Sequence, residues 1–380
     1  MTTIIWQSFS INIYIMRAFG LYPPEKPTRK SRLRSLLLYF AFTYPVPVLG
    51  ILNFIFGEEI DQMRIGDNGF LVAETACQIT KLMPFVMNGS RIKRCIHYLE
   101  DFSFEVKEDK EKFLEKWVKT CQRNSKVFLG SIIAGNVSWA VKPFLVQERQ
   151  LPVDVWLPFN LMENNIVYFL VFALLTLGVG YVSIASAAID PLIGGLCGLA
   201  SGHIQVLKNN LQYLNQCTAD SESLKIFITR RNVKDCINHH NIILNFVKEY
   251  ECCFSSIVFS QFAGSVVVVC FCCLQLGKIP PMTLNFFIMV SYLTILLVQI
   301  YFYCYYGTIL YEESNSIINA VYMGNWYDYD AESKRDLILL MERSQRPIVV
   351  TAGKILDLSV TTFTTILRRS YSLLAVLKNQ

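Results

Sequence analysis

The sequence predicts an all-α fold: a bundle of seven transmembrane helices with helical extensions on one side of the bilayer. Three observations lead there. Of 380 residues, 53% are hydrophobic and only 17% charged, whereas a soluble domain has about 45–50% apolar and about 25% charged residues. Mean hydropathy is +0.35. The apolar residues gather in seven runs, each near the roughly 20 residues that a helix needs to cross a bilayer. Lysine and arginine, finally, concentrate in alternate connections between those runs. This composition excludes a disordered chain, a secreted disulfide scaffold and a nucleic-acid binder.

In chain order, Trp6, Phe9, Ile13 and Met16 recur at helical spacing and predict a short helix lying in the membrane interface. No basic residue precedes Arg17 and no A-x-A site follows, so a cleaved signal peptide is not expected. The seven spans fall at about 33–56, 70–88, 126–147, 165–188, 254–276, 283–309 and 351–377. Pro45 and Pro47 should bend the first. Glu74 and Lys81 interrupt the second, which is the weakest, while the fifth, around Ser265–Phe271, is the strongest. Lys142 closes the third where a long amine reaches the headgroups. Between spans, residues 100–124, 196–214 and 233–250 alternate charged and apolar faces. They predict an anchor beneath the bilayer at about 189–253 and 310–350, its apolar faces buried within one chain or against another subunit. No internal repeat appears, and the chain is treated as one domain.

The connections orient the bundle. The stretch before and just into span one, 89–125, 189–253 and 310–350 carry six, nine, six and four Lys and Arg, twenty-five in all. The opposite set holds only Arg64, Arg149, Lys278 and Lys378. The positive-inside bias puts the N-terminus in the cytosol and the C-terminus outside, the reverse of a G-protein-coupled receptor. The outside loops then hold seven acids against three bases, a charge balance that favours cations at the entrance. The sequon Asn88-Gly89-Ser90 falls on the cytosolic side and should be unmodified.

The twelve cysteines sit in apolar runs or cytosolic segments, where a free thiol behaves as a small apolar group. His239 and His240 suggest a solvated helix face, and no Cys/His spacing suits a metal. Gly194, Gly195 and Gly198 suggest close packing rather than a phosphate loop. No nucleotide, hydrolase or metalloprotease motif stands out, so neither catalysis nor a cofactor is expected.

The last 60 residues carry the most information. Asn325-Trp326-Tyr327 is followed by Met341, Ser344-Gln345 and Pro347, then Thr351-Ala352-Gly353-Lys354, Leu358-Ser359, Thr361 to Leu367, and Ser370-Tyr371-Ser372. In order and spacing this resembles the ending of the insect odorant receptor family, with weaker matches at His240–Phe246 and Phe259–Phe262. The resemblance implies an odorant-gated, non-selective cation channel in a sensory-neuron plasma membrane. It implies a tetramer shared with a co-receptor subunit, held by the cytosolic anchor, with the final span lining the pore. Matched from Tyr371, the pore positions are Ser370, Leu373, Leu374, Leu377 and Lys378, with Leu374 as hydrophobic gate. The co-receptor tends to carry a polar residue where this chain has Leu377, and it has a long cytosolic insertion for which this chain lacks room. The chain is therefore expected to be a ligand-binding subunit that needs that partner.

The resemblance also puts a pocket for a small volatile ligand in the outer half, between spans two, three, four and six. Helical spacing there offers Phe70, Ala73 and Cys77; Ile132, Gly135, Ser138 and Trp139; Tyr168 and Phe172; and Phe286, Met289 and Tyr292. Aromatic walls suit such ligands, because contact area supplies most of their affinity. Two alternatives stay open: the sister gustatory receptors, which usually end in TYxxxLxQF, and a metabotropic receptor, which requires the opposite orientation.

Overall fold

The computed structural model describes residues 4–24, 28–56, 62–99, 108–145, 151, 153–157, 165–214 and 221–378, without the side chains of 62–68, 108–111, 142, 144–145 and 376–378. Their helices are α1 (Ile4–Ala18), α2 (Arg29–Thr43), α3 (Pro45–Phe56), α4 (Gln62–Met87), α5 (Gly89–His97), α6 (Glu108–Leu145), α7 (Asn165–Gln212), α8 (Glu222–Leu276), α9 (Leu284–Asn315), α10 (Ile317–Met323), α11 (Ala331–Ser344) and α12 (Val360–Lys378). A hairpin of β1 (Thr351–Ala352) and β2 (Leu356–Asp357) precedes α12. The fold is thus a helical bundle in which α2–α3, α4, α6, α7, α8, α9 and α12 follow the seven apolar runs.

Five of these are long and apolar enough to cross a membrane by length and composition: Arg29–Phe56, Gly69–Met87, and the helices that contain spans four, five and six. α12 mixes four threonines, two serines and two arginines into its 19 residues, so its apolar character is confined to part of its surface. The first run breaks between Thr43 and Pro45, as its prolines predict.

Three expectations are corrected. The N-terminal helix does not offer its apolar stripe to lipid. Phe9, Ile13 and Met16, with Ile5, are fully buried against α6 and α7 while Trp6 stays exposed, and Asn12 Nδ2 donates to Ala188 O at 2.8 Å. Phe9 reaches α7 because residue 195 is glycine; a Cβ there would lie 2.6 Å from its ring. The second correction concerns His239 and His240, which are buried rather than solvated. Third, the last helix begins at Val360 and not at 351, because residues 351–357 fold into the hairpin.

The hairpin turn needs positive φ at both central residues, Gly353 (+62°) and Lys354 (+58°). Gly353 also lies against the Phe259 ring, where a Cβ would sit 2.7 Å from it. Glu251 accepts from both the backbone N and Oγ1 of Thr351 at 2.8 Å, and Ser255 Oγ donates to Thr351 O at 2.7 Å. The Thr-Ala-Gly-Lys motif therefore clips the start of α12 to α8. On the other side, Val360 N donates to Thr308 Oγ1 of α9 at 3.1 Å, and Ile348 N to Ser314 Oγ at 2.8 Å.

The distal halves of α6, α7, α8 and α9, with α10 and α11, form the anchor. α7 is its axis, buried almost continuously from Ala185 to Ile204. Trp117 lies against Gly198 and Gly202, and Tyr306 against Gly194 and Gly198, so the glycines are close-packing positions. Lys208 bridges to Glu313 at 2.5 Å, and Arg230 to Asp330, the N-cap of α11, at 2.8 Å. The apolar face of α7 is buried within one chain, while Leu224, Phe227, Tyr322, Met323, Ile338 and Leu339 among others remain exposed.

Two anchor histidines meet across α7 and α8, His203 Nδ1 lying 3.3 Å from His239 Nε2. Burial lowers their pKa from the usual 6.5 to about 4 for His203 and about 3 for His239, the latter lowered further by His203 and His240. The unfolded chain then binds more protons than the fold as pH drops through 6.5, so acid should destabilise the anchor. In detergent, thermal unfolding is expected at lower temperature at pH 5 than at pH 7. His239→Gln should flatten that dependence; an identical pH slope in the variant would exclude the pair as its source.

Candidate functional site

Charges inside an apolar span are expensive unless they face partners within the bundle. Of the two that interrupt span two, Lys81 does so, while Glu74 is held through one oxygen by Gln78 of its own helix. Lys81 of α4 and Asp190 of α7 are both 0% exposed and form an ion pair at 2.5 Å. Asp190 also accepts from Gln299 Nε2 at 2.5 Å and Tyr303 OH at 2.6 Å, both on α9. Lys81 Nζ donates to Gln261 Oε1 of α8 at 3.1 Å, and Gln261 donates on to Ser265. One helical turn or two along α4, Gln78 accepts from Ser186 Oγ at 2.7 Å and donates to Glu74 Oε1 at 2.6 Å. The Lys81–Asp190 pair and its partners thus join α4, α7, α8 and α9 at mid-bundle, and the Glu74–Gln78–Ser186 group ties α4 to α7 beside it.

Above this floor, towards the end where α4, α7 and α9 begin and α6 and α8 finish, lie the aromatic candidates. The structure brings Phe70 and Tyr292 together edge to face, with centroids 5.1 Å apart across α4 and α9. Met289 is buried one turn from Tyr292, and Ala73 packs half-buried against the same core. Cys77 occupies the space left by the missing side chain of Gly264 on α8. Gly135 brings α6 against α9, where a Cβ would touch Ile295 Cδ1 at 3.7 Å, and Trp139 packs half-buried on the core one turn away. Tyr168 is buried on α7, its ring 6.2 Å from that of Phe172, which is half-buried. Ile132 is half-buried. Phe286 is half-buried with its ring 5.9 Å from that of its helical neighbour Phe287. Ser138 is set apart: it is exposed, and its hydroxyl turns back to Ala134 O at 2.9 Å.

The terminal helix has two unlike faces. Phe363, Ile366 and Ser370 turn towards the bundle; Phe363 meets the Tyr301 ring at 5.7 Å. Ser370 is only 2% exposed and donates to Ile366 O, so it is not on the open face that its candidacy as a pore residue requires. The other face exposes Thr361, Thr364, Thr365, Arg368, Arg369, Tyr371 and Ser372. Leu373 and Leu374 are half-buried between the two. The side chains of Leu377 and Lys378 lie outside the described residues.

A groove of about 510 Å³ between α8 and α11, lined by Lys234, His240, Asp336 and Arg343 among others, opens on the anchor, far from the aromatic cluster. The site residues that sequence patterning missed are Asp190, Gln261, Gln299 and Tyr303. Lys81 and Glu74 carried the one available signal, two charges seven residues apart on one helix face.

Removing one member of a buried pair strands the other and costs about 3–5 kcal/mol. Lys81→Met alone should therefore largely abolish delivery to the cell surface. Lys81→Met with Asp190→Asn, which leaves no stranded charge, should recover a substantial part. Surface labelling of the four combinations checks this; equal losses in the single and double variants would contradict the pairing.

A family model described as the 7tm odorant receptor matches residues 62–371. Odorant receptor Or1 of Anopheles gambiae is 23% identical over 405 residues, covering 98% of this chain and 95% of that protein. Odorant receptor 85b of Drosophila melanogaster is 24% identical, covering 96% of each. The solved structure of the insect olfactory receptor OR5 from Machilis hrabei shares the fold, with TM-score 0.83 at 15% identity over 97% of this chain and 96% of that one. The same receptor in complex with eugenol matches with TM-score 0.83.

Proposed function

This chain belongs to the 7tm odorant receptor family, and from that premise we propose that it is an odorant-gated, non-selective cation channel subunit. It works in a tetramer with the odorant co-receptor, in the plasma membrane of a sensory-neuron dendrite. It is a receptor and not an enzyme, and the family assignment sets aside the gustatory alternative.

The observation that supports the channel reading most is the open face of α12. Four threonine and serine hydroxyls and two arginines are exposed there, on the helix that follows the seventh apolar run. Lipid would penalise such a face, whereas water or a neighbouring subunit accommodates it. Four copies of α12 around one axis supply both. Leu374, half-buried at the edge of that face, is the gate: a ring of leucines closes a narrow pore by excluding water. Leu373 lies beside it, and Leu377 and Lys378 extend the same helix outward. The exposed Ile338 and Leu339 of α11 supply apolar surface for contact between anchors. The twenty-five to four division of Lys and Arg supports a cytosolic N-terminus and an external C-terminus.

The ligand binds among Phe70, Tyr292, Met289, Trp139, Tyr168 and Phe172, with dispersion and desolvation providing most of the affinity. Gating is a population shift: a ligand that favours the open arrangement moves the equilibrium in proportion to its differential affinity, and about 5.5 kcal/mol across the sites takes 1:99 to 99:1.

In cells co-expressing the co-receptor, Trp139→Ala is expected to lose agonist-evoked current while still reaching the surface; an unchanged dose–response under voltage clamp would remove Trp139 from the pocket. Leu374→Ser is expected to raise ligand-free current, and basal current equal to wild type would refute the gate. An epitope tag at the C-terminus should stain on intact cells, and one at the N-terminus only after permeabilisation.

A further inference from the structure

We propose that Arg17, Arg34 and Lys93 form a binding site for the polyphosphorylated headgroup of a phosphoinositide in the cytosolic leaflet. The inference rests on the orientation proposed above, which puts the N-terminus and the connection after span two on the cytosolic side.

Three helices that are separate in sequence bring their cations to one place. Arg17 lies at the end of α1, Arg34 at the start of span one on α2, and Lys93 on α5, directly after span two. Tyr22 is their common floor. The Arg17 guanidinium lies 5.3 Å and the Lys93 ammonium 5.4 Å from its ring centroid, and its hydroxyl is 2.8 Å from His97 Nε2. Arg34 Nη2 donates to Ala18 O at 3.1 Å, beside Arg17, and Pro23 packs against Gly89 at the start of α5. Arg17 and Arg34 are exposed and Lys93 is half-buried. None of the three has a carboxylate partner among the described residues. Residues 4–24 and 28–56 contain no Asp or Glu, and neither does α5, whose Arg91 pairs with Glu249 of α8 at 3.3 Å.

Two cations held near one ring repel each other, and a polyanion set between them turns that repulsion into attraction. Arginine supplies paired N–H donors that match phosphate oxygens, and lysine supplies a point charge for a second phosphate. The positive-inside bias asks only for basic residues somewhere in a cytosolic connection. It does not require α1 to deliver an arginine to the same tyrosine as α5.

What adjoins the cations favours a lipid over a free phosphate. Leu33, Leu37 and Phe40 recur along one face of α2 and are more than half exposed, at 58%, 61% and 53%. This apolar stripe starts beside Arg34 and runs into span one, the path an acyl chain takes when its headgroup sits at the start of the helix. Arg29, Lys30 and Arg32 of α2 and Arg94 of α5 are also exposed and add attraction for an anionic leaflet.

The test counts lipid adducts on the purified full chain in neutral detergent by intact-mass spectrometry. The probes are phosphatidylinositol bisphosphate, unphosphorylated phosphatidylinositol, phosphatidylserine at matched total charge, and soluble inositol trisphosphate. Wild type is expected to hold the bisphosphate lipid roughly tenfold or more tighter than the other three. Arg17→Gln with Lys93→Gln should remove that preference. Arg123→Gln with Lys126→Gln, which removes two exposed cations of α6 just before span three, should leave it in place. Phosphatidylserine bound as tightly as the bisphosphate by wild type overturns the proposal even if no variant folds. An equal loss in the two double variants overturns it as well, since that marks a diffuse basic surface. Soluble inositol trisphosphate bound as tightly as the lipid overturns the assignment to a membrane headgroup. Because the measurement is made in detergent, an N-terminal tag that stains on intact cells would overturn the orientation alone and leave the binding result standing.

Discussion

At the centre of the molecule an ammonium and a carboxylate, neither touching solvent, hold four helices together. Burying Lys81 and Asp190 makes sense only if both stay paired, and their bonds of 2.5 to 3.1 Å to α7, α8 and α9 leave little room for a helix to slide or rotate. The pair contributes less through net attraction than through the penalty for any packing that separates its members. It therefore fixes the register in which the aromatic residues of one end and the glycine-lined axis of the other are presented.

The two ends are built differently. In the anchor, glycines on α7 admit Phe9, Trp117 and Tyr306 to backbone distance, and the contacts close a tight core. At the other end the side chains are large and aromatic, several only half-buried, and held by ring contacts rather than by directional bonds. Ring packing of that kind rearranges at modest cost; the ion-paired floor beneath it does not.

α9 links the regions. Tyr292 meets the aromatic cluster, Gln299 and Tyr303 hold Asp190, and Thr308 and Ser314 grip the segment that leads into α12. From Tyr292 to Thr308 a helix spans roughly 24 Å at 1.5 Å per residue. α8 runs alongside and clips the hairpin through Glu251 and Ser255. Displacement at the aromatic end thus has continuous helical routes to the terminal helix, with the hairpin as their junction.

The sequence by itself determined the all-helical class, the seven apolar runs, the break at Pro45 and the amphipathic stem, because these depend on hydrophobicity and period along one stretch of chain. It also determined the terminal motif, whose Thr351 and Gly353 turn out to be the hairpin's contacts with α8. Tertiary structure alone decided which residues meet across helices. The stripe of Phe9 and Ile13 is amphipathic in the same way whether it covers lipid or α7, and only the glycine opposite chose the protein. His239 and His240 resemble a solvated pair until α7 and α11 cover them. Ser370 shares a polar run with the exposed threonines, yet helix rotation turned it inward. Lys81 and Asp190 stand 109 positions apart, and no local pattern specifies a partner at that distance; the low dielectric of the folded interior does, by making every other arrangement of those two charges too costly.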